Sequence, residues 1–68
     1  MRASYRRAGQ RWEGVIRDDA GKVVQACGHV HRNRDDGNAT WGRSARECAA
    51  FMLADRLGIT YGEVRGWT

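Results

Sequence analysis

The stretch from Arg11 to Val30 constrains the fold of this chain most, because it predicts two β-strands joined by a tight turn. Residues 11–17 are rich in β-branched and aromatic side chains, residues 18–21 (DDAG) supply the turn, and residues 22–30 resume the strand pattern. Alternation predicts an apolar face with Trp12, Gly14, Ile16, Val24, Ala26, Gly28 and Val30. The opposite, polar face, where we expect function, carries Glu13, Val15, Arg17, Val23, Gln25, Cys27, His29 and His31.

The rest of the chain predicts a small α+β domain that spans residues 1–68. Residues 4–8 predict a first strand, and residues 39–41 predict either a short return strand or a loop, so the sheet at about 4–42 has three or four strands. Ser44 and Glu47 form a capping box that begins one main helix at about 45–57, and Gly58 is well placed to end it. A helical turn at 59–67 follows. From these elements together we expect an antiparallel sheet packed on one main helix.

The helix is apolar on two sides and therefore requires two coverings. One stripe, expected to lie on the sheet, consists of Ala45, Cys48, Ala49 and Met52. The second stripe, which the C-terminal residues Ile59, Val64 and Trp67 would cover, consists of Ala50, Leu53, Ala54 and Leu57. The predicted core consists chiefly of Trp12, Ile16, Phe51, Met52, Leu53 and Leu57.

The charge balance favours an anionic partner. Twelve basic residues, eleven of them arginine, face eight acidic ones, which gives a net charge of +4. Arginine forms bidentate bonds to phosphate and to guanine, so nucleic acid is the partner we expect. No run is long enough to span a membrane and no secretory signal is evident, so we predict a cytoplasmic protein with free thiols.

Cysteine and histidine raise the question of a metal or a catalytic site. Cys27, His29, His31 and Cys48 are residue types that suit zinc. Alternation, however, sends the first three away from the helix and Cys48 toward the sheet, so they meet only if a bulge at Gly28 changes the register. We therefore expect no cofactor, with zinc as the less favoured alternative. Cys27 and a histidine two residues on are about 7 Å apart along a strand, too far for a catalytic pair, so we expect no enzyme.

Part of the chain resembles the AP2/integrase-type DNA-binding domain. The matching pieces are Tyr5-Arg6, the Trp12-x-x-x-Ile16-Arg17-Asp18 motif, the turn with Gly21 and the alanine-rich helix after Ser44. The resemblance implies a three-stranded antiparallel sheet that lies in the major groove, with the helix packed behind it. The family's contact positions fall on Arg6, Val15, Arg17, Val23 and Gln25, of which Arg6, Arg17 and Gln25 have suitable chemistry. Arg7 replaces the family's glycine, and the loop at 32–43 is longer than the family's turn.

The C-terminal stretch has a second resemblance. Residues 53–67 (LADRLGITYGEVRGW) are similar to the helix-turn-helix core of bacterial repressors and excisionases. That similarity implies that Thr60, Tyr61, Glu63 and Arg65 face the groove. The alternative, which we favour, is that this tail only covers the core.

We therefore predict a non-enzymatic DNA-binding module of a bacterial or phage regulator or recombination accessory protein. The candidate phosphate contacts are Arg6, Arg7, Arg11, Arg17 and Arg32, and the candidate base readers are Gln25, His29 and His31. The alternative is a small phage-type module that binds a host protein through a basic, aromatic surface with Trp41, Tyr61 and Trp67. A homodimer joined through the second helix stripe is a further version of that alternative.

Overall fold

The structure, a computed structural model, describes residues 1–35 and 44–66 and shows an α+β fold. Three strands, β1 (Arg2–Ala8), β2 (Arg11–Arg17) and β3 (Val23–Ala26), form an antiparallel sheet in the order β1-β2-β3. A main helix α1 (Ala45–Leu57) and a short helix α2 (Tyr61–Gly66) follow. The predicted fold class is confirmed, and the order of elements agrees with the architecture that the AP2/integrase resemblance implies. No helix in this described part is long and apolar enough to cross a membrane.

Local turn chemistry explains the two hairpins. Gly9, at a φ of 66°, lies between β1 and β2, in the left-handed region that such a turn requires. Between β2 and β3, the Asp18 carboxylate accepts hydrogen bonds from the backbone N–H groups of Ala20 and Lys22, both at 2.9 Å. Gly21 then adopts a φ of 84°, and this five-residue connection ends with Val23 paired to Arg17.

The predicted face is right for Val23, which pairs with Arg17, and wrong for Gln25 and Ala26, because the register shifts after Val23. Ile16 pairs with Gln25 and Val15 pairs with Ala26, with a register shift between Ile16 and Arg17. Paired residues share a face, so Gln25 points to the helix side and Ala26 to the opposite side. The Gln25 side chain confirms this placement, because its oxygen accepts a hydrogen bond of 2.7 Å from Arg56 of α1. The strand also ends at Ala26, earlier than predicted.

Helix α1 begins and ends where the sequence predicts. The Ser44 hydroxyl accepts the Glu47 N–H at 3.1 Å, which satisfies one of the unpaired donors of the first turn. At the other end Gly58 is left-handed, with a φ of 68°, and its N–H donates to the carbonyls of Ala54 and Asp55 in the last turn. The Ser44 cap and the Gly58 stop are confirmed, whereas the Glu47 carboxylate, predicted to complete the capping box, pairs with Arg65.

The core is thinner than predicted. Among the described residues, the buried hydrophobic side chains are Ala3, Val15, Ile16, Ala45, Ala49, Ala50, Leu53, Ala54 and Val64. Five of these nine are alanine, and none is aromatic. Of the large side chains predicted for the core, Trp12 and Met52 are half-buried. Phe51 is 46% exposed and Leu57 is 39% exposed, so the prediction was wrong for these two.

Helix α2 covers the second stripe of α1, as predicted. Val64 is fully buried in one cluster with Leu53 and Ala54. An ion pair of 3.2 Å between Arg65 and the buried Glu47 carboxylate links the two helices. The predictions for the possible strand at 39–41 and for Trp41 and Trp67 lie outside the described residues.

Candidate functional site

The end of β3 places Cys27 on the helix side of the sheet. The Cys27 N–H donates to the Gly14 carbonyl at 2.8 Å, so Cys27 lies opposite Gly14 and shares its face. In return the Gly14 N–H donates to Cys27 Sγ at 3.3 Å. A backbone donor of this kind stabilises a sulfur that carries negative charge.

Two extra residues then bring the histidines to the same place. Trp12 and His31 exchange two backbone hydrogen bonds, of 2.9 and 2.7 Å, so His31 lies opposite Trp12. Gly14 and Trp12 are two residues apart on β2, whereas Cys27 and His31 are four apart. The chain absorbs the difference in an excursion at Gly28, which adopts a φ of 81°. This is the bulge on which the zinc alternative depended, and it carries His29 toward Cys27.

Close packing of helix on sheet brings the fourth residue. A Cβ at Gly14 would lie 2.3 Å from the Ala45 carbonyl oxygen and 3.1 Å from the Ala49 backbone nitrogen, so only glycine fits there. Ala45 and Ala49, both fully buried, keep the facing side of α1 equally small. Cys48 lies between them in sequence, and this approach brings its side chain to the end of β3.

Cys27, His29, His31 and Cys48, which we name the cysteine–histidine cluster, have ligand atoms that all lie within 4.8 Å of one another. Cys27 Sγ is 3.0 Å from Nδ1 of His29 and 3.8 Å from Nε2 of His31. Cys48 Sγ is 3.7 Å from Nε2 and 4.0 Å from Nδ1 of His29, so the His29 ring contacts both sulfurs. We expected these four residues to meet only with a bulge at Gly28; the structure has an excursion there and also an earlier register shift, between Ile16 and Arg17, which turns Cys27 to the helix side.

The cluster lies at the surface. His29 is exposed, and the other three members are half-buried. Both cysteines are free thiols. Burial, followed by the nearby Cys27, raises the pKa of the Cys48 thiol to about 11, so without a cation this thiol is protonated at neutral pH.

A second feature is the face of the sheet opposite α1, which we name the outer face. Its members are Arg2, Ser4, Arg6 and Ala8 of β1 and Arg11, Glu13, Val15 and Arg17 of β2. Arg2 lies directly opposite Arg17 on the neighbouring strand. One carboxylate, that of Glu13, is on this face, and it pairs with Arg6 at 2.7 Å. Val15 at the centre is fully buried, whereas Arg2, Arg6 and Arg11 around it are exposed.

The structure divides the eight residues predicted to contact DNA. Arg6, Arg11 and Arg17 lie on the outer face. Arg17 is half-buried, and its guanidinium donates to the carbonyls of Gly21 and Tyr5 at 2.9 and 3.3 Å and to the Ser4 hydroxyl at 3.4 Å. The remaining five lie elsewhere: Arg7 and Gln25 on the helix side, His29 and His31 in the cluster, and Arg32 exposed after it.

Sequence reasoning missed two groups of residues. Arg2 belongs to the outer face, which the pairing of a longer β1 with β2 would have indicated. On the helix side, the guanidinium groups of Arg7 and Arg34 lie 5.0 and 5.7 Å from the centre of the Trp12 ring. The two arginines stack on the Trp12 indole, which we had predicted to lie in the core. Nothing in the local sequence pattern indicates this stacking.

Comparisons with protein-family models, with curated proteins and with solved structures find no match. The function proposed below therefore depends on the sequence and the structure of this chain.

Proposed function

We propose that the chain is a non-enzymatic DNA-binding module that contacts the phosphate backbone of duplex DNA through its outer face. The observation that supports this most is the cross-strand pair of Arg2 and Arg17. Like charges directly opposite each other destabilise a sheet, and an anion placed between them relieves the repulsion. Phosphate fits this role, because guanidinium groups bind it in a bidentate manner. Arg17 already donates three hydrogen bonds within the chain, so the exposed Arg2 would make the bidentate contact and Arg17 would add its charge.

The remaining charges of the outer face support the same partner. Arg6 and Arg11 extend the basic surface along the same two strands, and Glu13 is the one carboxylate among its members. The net charge of +4 adds long-range attraction to a polyanion. Membership of the AP2/integrase-type family, whose sheet lies in the major groove, is part of this proposal.

The proposal differs from the sequence prediction in how DNA is recognised. Gln25, His29 and His31 lie off the outer face, so the candidate base readers do not accompany the arginines. Phosphate contacts position a protein on DNA but carry no sequence information directly. We therefore expect affinity that depends strongly on salt and little on sequence.

The test is anisotropy titration of random-sequence duplex DNA at several salt concentrations. The double variant Arg2→Gln/Arg11→Gln should weaken binding and lower the log–log salt slope by about 2, since each lost phosphate contact removes about one unit. Arg56→Gln is the matched control, because Arg56 is an exposed arginine on the helix side. Absence of binding at low salt, or an equal loss in the control, would refute the outer face as the interface.

A protein partner is the second candidate, and one observation favours it. Phe51 is 46% exposed and stacks on the half-buried Tyr61, with ring centres 4.1 Å apart and an interplanar angle of 13°. Aromatic side chains of this kind are typical of protein interfaces. If the chain fails to bind DNA, Phe51→Ser should abolish capture of a host protein, whereas Arg2→Gln/Arg11→Gln should not. A homodimer through the second helix stripe has little surface available, because Ala50, Leu53 and Ala54 are buried within the chain.

A further inference from the structure

The cysteine–histidine cluster gathers every cysteine and histidine of the chain. The sequence contains two of each, and their ligand atoms lie within 4.8 Å of one another although the residues come from the end of β3, the excursion after it and helix α1. Convergence of this kind is not explained by packing. We propose that Cys27, His29, His31 and Cys48 bind one structural Zn²⁺, independently of the proposed DNA binding.

The distances suit a tetrahedral zinc site. Zinc–sulfur bonds of about 2.3 Å and zinc–nitrogen bonds of about 2.0–2.1 Å place the ligand atoms of a tetrahedron roughly 3.3–3.8 Å apart. With Nδ1 as the His29 ligand, its distances to Cys27 Sγ and Cys48 Sγ are 3.0 and 4.0 Å, and Cys27 Sγ is 3.8 Å from His31 Nε2. The widest separation, at most 4.8 Å, exceeds the ideal by about 1 Å, which side-chain rotation alone can remove.

The chemistry of the donors selects the ion. Two sulfurs and two imidazole nitrogens are the donor set of structural zinc, whereas calcium and magnesium require oxygen ligands. Four protein donors also fill the coordination sphere, which leaves no open position for a reacting water. The site is therefore structural and does not change the expectation that the chain is not an enzyme.

The surroundings of Cys27 Sγ include the His29 carbonyl at 3.2 Å, to which the neutral thiol donates, and one backbone donor that suits a thiolate. The Gly14 N–H points at Cys27 Sγ from 3.3 Å, and this donor comes from the central strand of the sheet, not from a flexible side chain. Hydrogen bonds from outside the ligand set orient metal ligands and tune their charge. The same glycine permits the close approach of α1 that brings Cys48 to the cluster.

The small hydrophobic core indicates what a bound ion would do for stability. Five of the nine buried hydrophobic residues in the described part are alanine, and natural domains below about 70–80 residues often add a disulfide or a metal to a small core. Cys27 follows β3 and Cys48 lies in α1, so a bound ion would join the sheet to the helix. The ion would therefore hold together the two layers that the alanines join only weakly.

The experiment is metal titration of the full chain, purified under reducing conditions. We expect one Zn²⁺ per chain, an increase in the thermal midpoint of about 15 °C or more at zinc a thousandfold above Kd, and cobalt(II) spectra with tetrahedral d–d bands and thiolate charge transfer. Cys48→Ser should lower zinc affinity at least about a hundredfold, whereas Asp55→Asn, an exposed carboxylate of the same helix, should not.

A measurement on the unaltered chain separates loss of a ligand from loss of the fold. Bound zinc should protect Cys27 and Cys48 together from alkylation by N-ethylmaleimide, and a chelator should restore both reactions. Zinc well below one equivalent, an octahedral cobalt spectrum, or protection of one thiol only would overturn the proposal. An intact mass lower by two hydrogens, with no zinc bound, would show that the two thiols form a disulfide instead. These results do not depend on DNA, so the two proposals can fail separately.

Discussion

Gly14→Ala tests whether the close approach of β2 and α1 organises both the core and the cysteine–histidine cluster. The added Cβ would lie 2.3 Å from the Ala45 carbonyl oxygen, and ordinary contact begins at 3.4 Å, so the two backbones must separate by about 1 Å. Overpacking of this kind costs about 1–3 kcal/mol. The clash is with backbone atoms, which cannot rotate away as the end of a side chain can, so we take the upper part of that range, about 2–3 kcal/mol. Alanine is better than glycine in a strand by up to about 1 kcal/mol, so we expect a net loss of at least about 1–2 kcal/mol.

Chemical denaturation in zinc-free buffer measures this loss, which corresponds to a fall in Tm of about 4–16 °C. Gly62→Ala is the matched control, because the nearest atom to a Cβ at Gly62 is 4.0 Å away and the residue lies inside α2. The control should raise the free energy of unfolding slightly. A Gly14→Ala chain within about 0.5 kcal/mol of the unaltered one would refute the argument. Retreat of α1 should also weaken zinc binding, since Cys48 moves with the helix.

Two further predictions concern the burial of Val64 and the pH dependence of zinc binding. Val64→Ala should lower the free energy of unfolding by about 1.5–2.5 kcal/mol, because Val64 is fully buried under α1. Val30→Ala is the control and should change it little, because Val30 is 51% exposed. Equal losses of the two variants in urea denaturation would show that α2 does not cover the core. Zinc affinity should fall steeply from pH 7 to pH 5, because protons compete with zinc for the imidazole and thiolate ligands. If a competition titration gives the same zinc affinity at both pH values, the cluster does not hold the ion.

The sequence predicts most of the fold, because its signals are local. The Ser44 cap, the Gly58 stop and the pattern of β2 each depend on neighbours within a few residues, and all three are confirmed. The faces of β3 are a different matter. They depend on the register shift opposite Ile16 and Arg17, where one extra residue of β3 moves every later side chain to the other face.

The candidate metal site escaped prediction through the same error. With Cys27 assigned to the polar face, Cys48 could not reach it. The pairing of Cys27 with Gly14 and the excursion at Gly28 reverse that assignment, and both are tertiary features of the strand pairing. The sequence did contain a signal, since all the cysteines and histidines recur within 22 residues and Gly28 separates two of them. Residue type alone indicated the four residues that lie together, while alternation beyond the end of the strand misled.

The two proposals use opposite faces of one strand, which makes their dependence on each other testable. Gly14 of β2 faces α1 and Cys27, while Arg11 and Arg17 of the same strand face outward with Arg2. The outer face depends on the pairing of β1 with β2, and this hairpin contains no member of the cluster. Removal of zinc should therefore loosen α1 before it disturbs the arginines. If DNA affinity nevertheless falls in proportion to zinc occupancy, the hairpin alone does not hold the outer face, and the helix layer is required to keep the sheet in its binding shape.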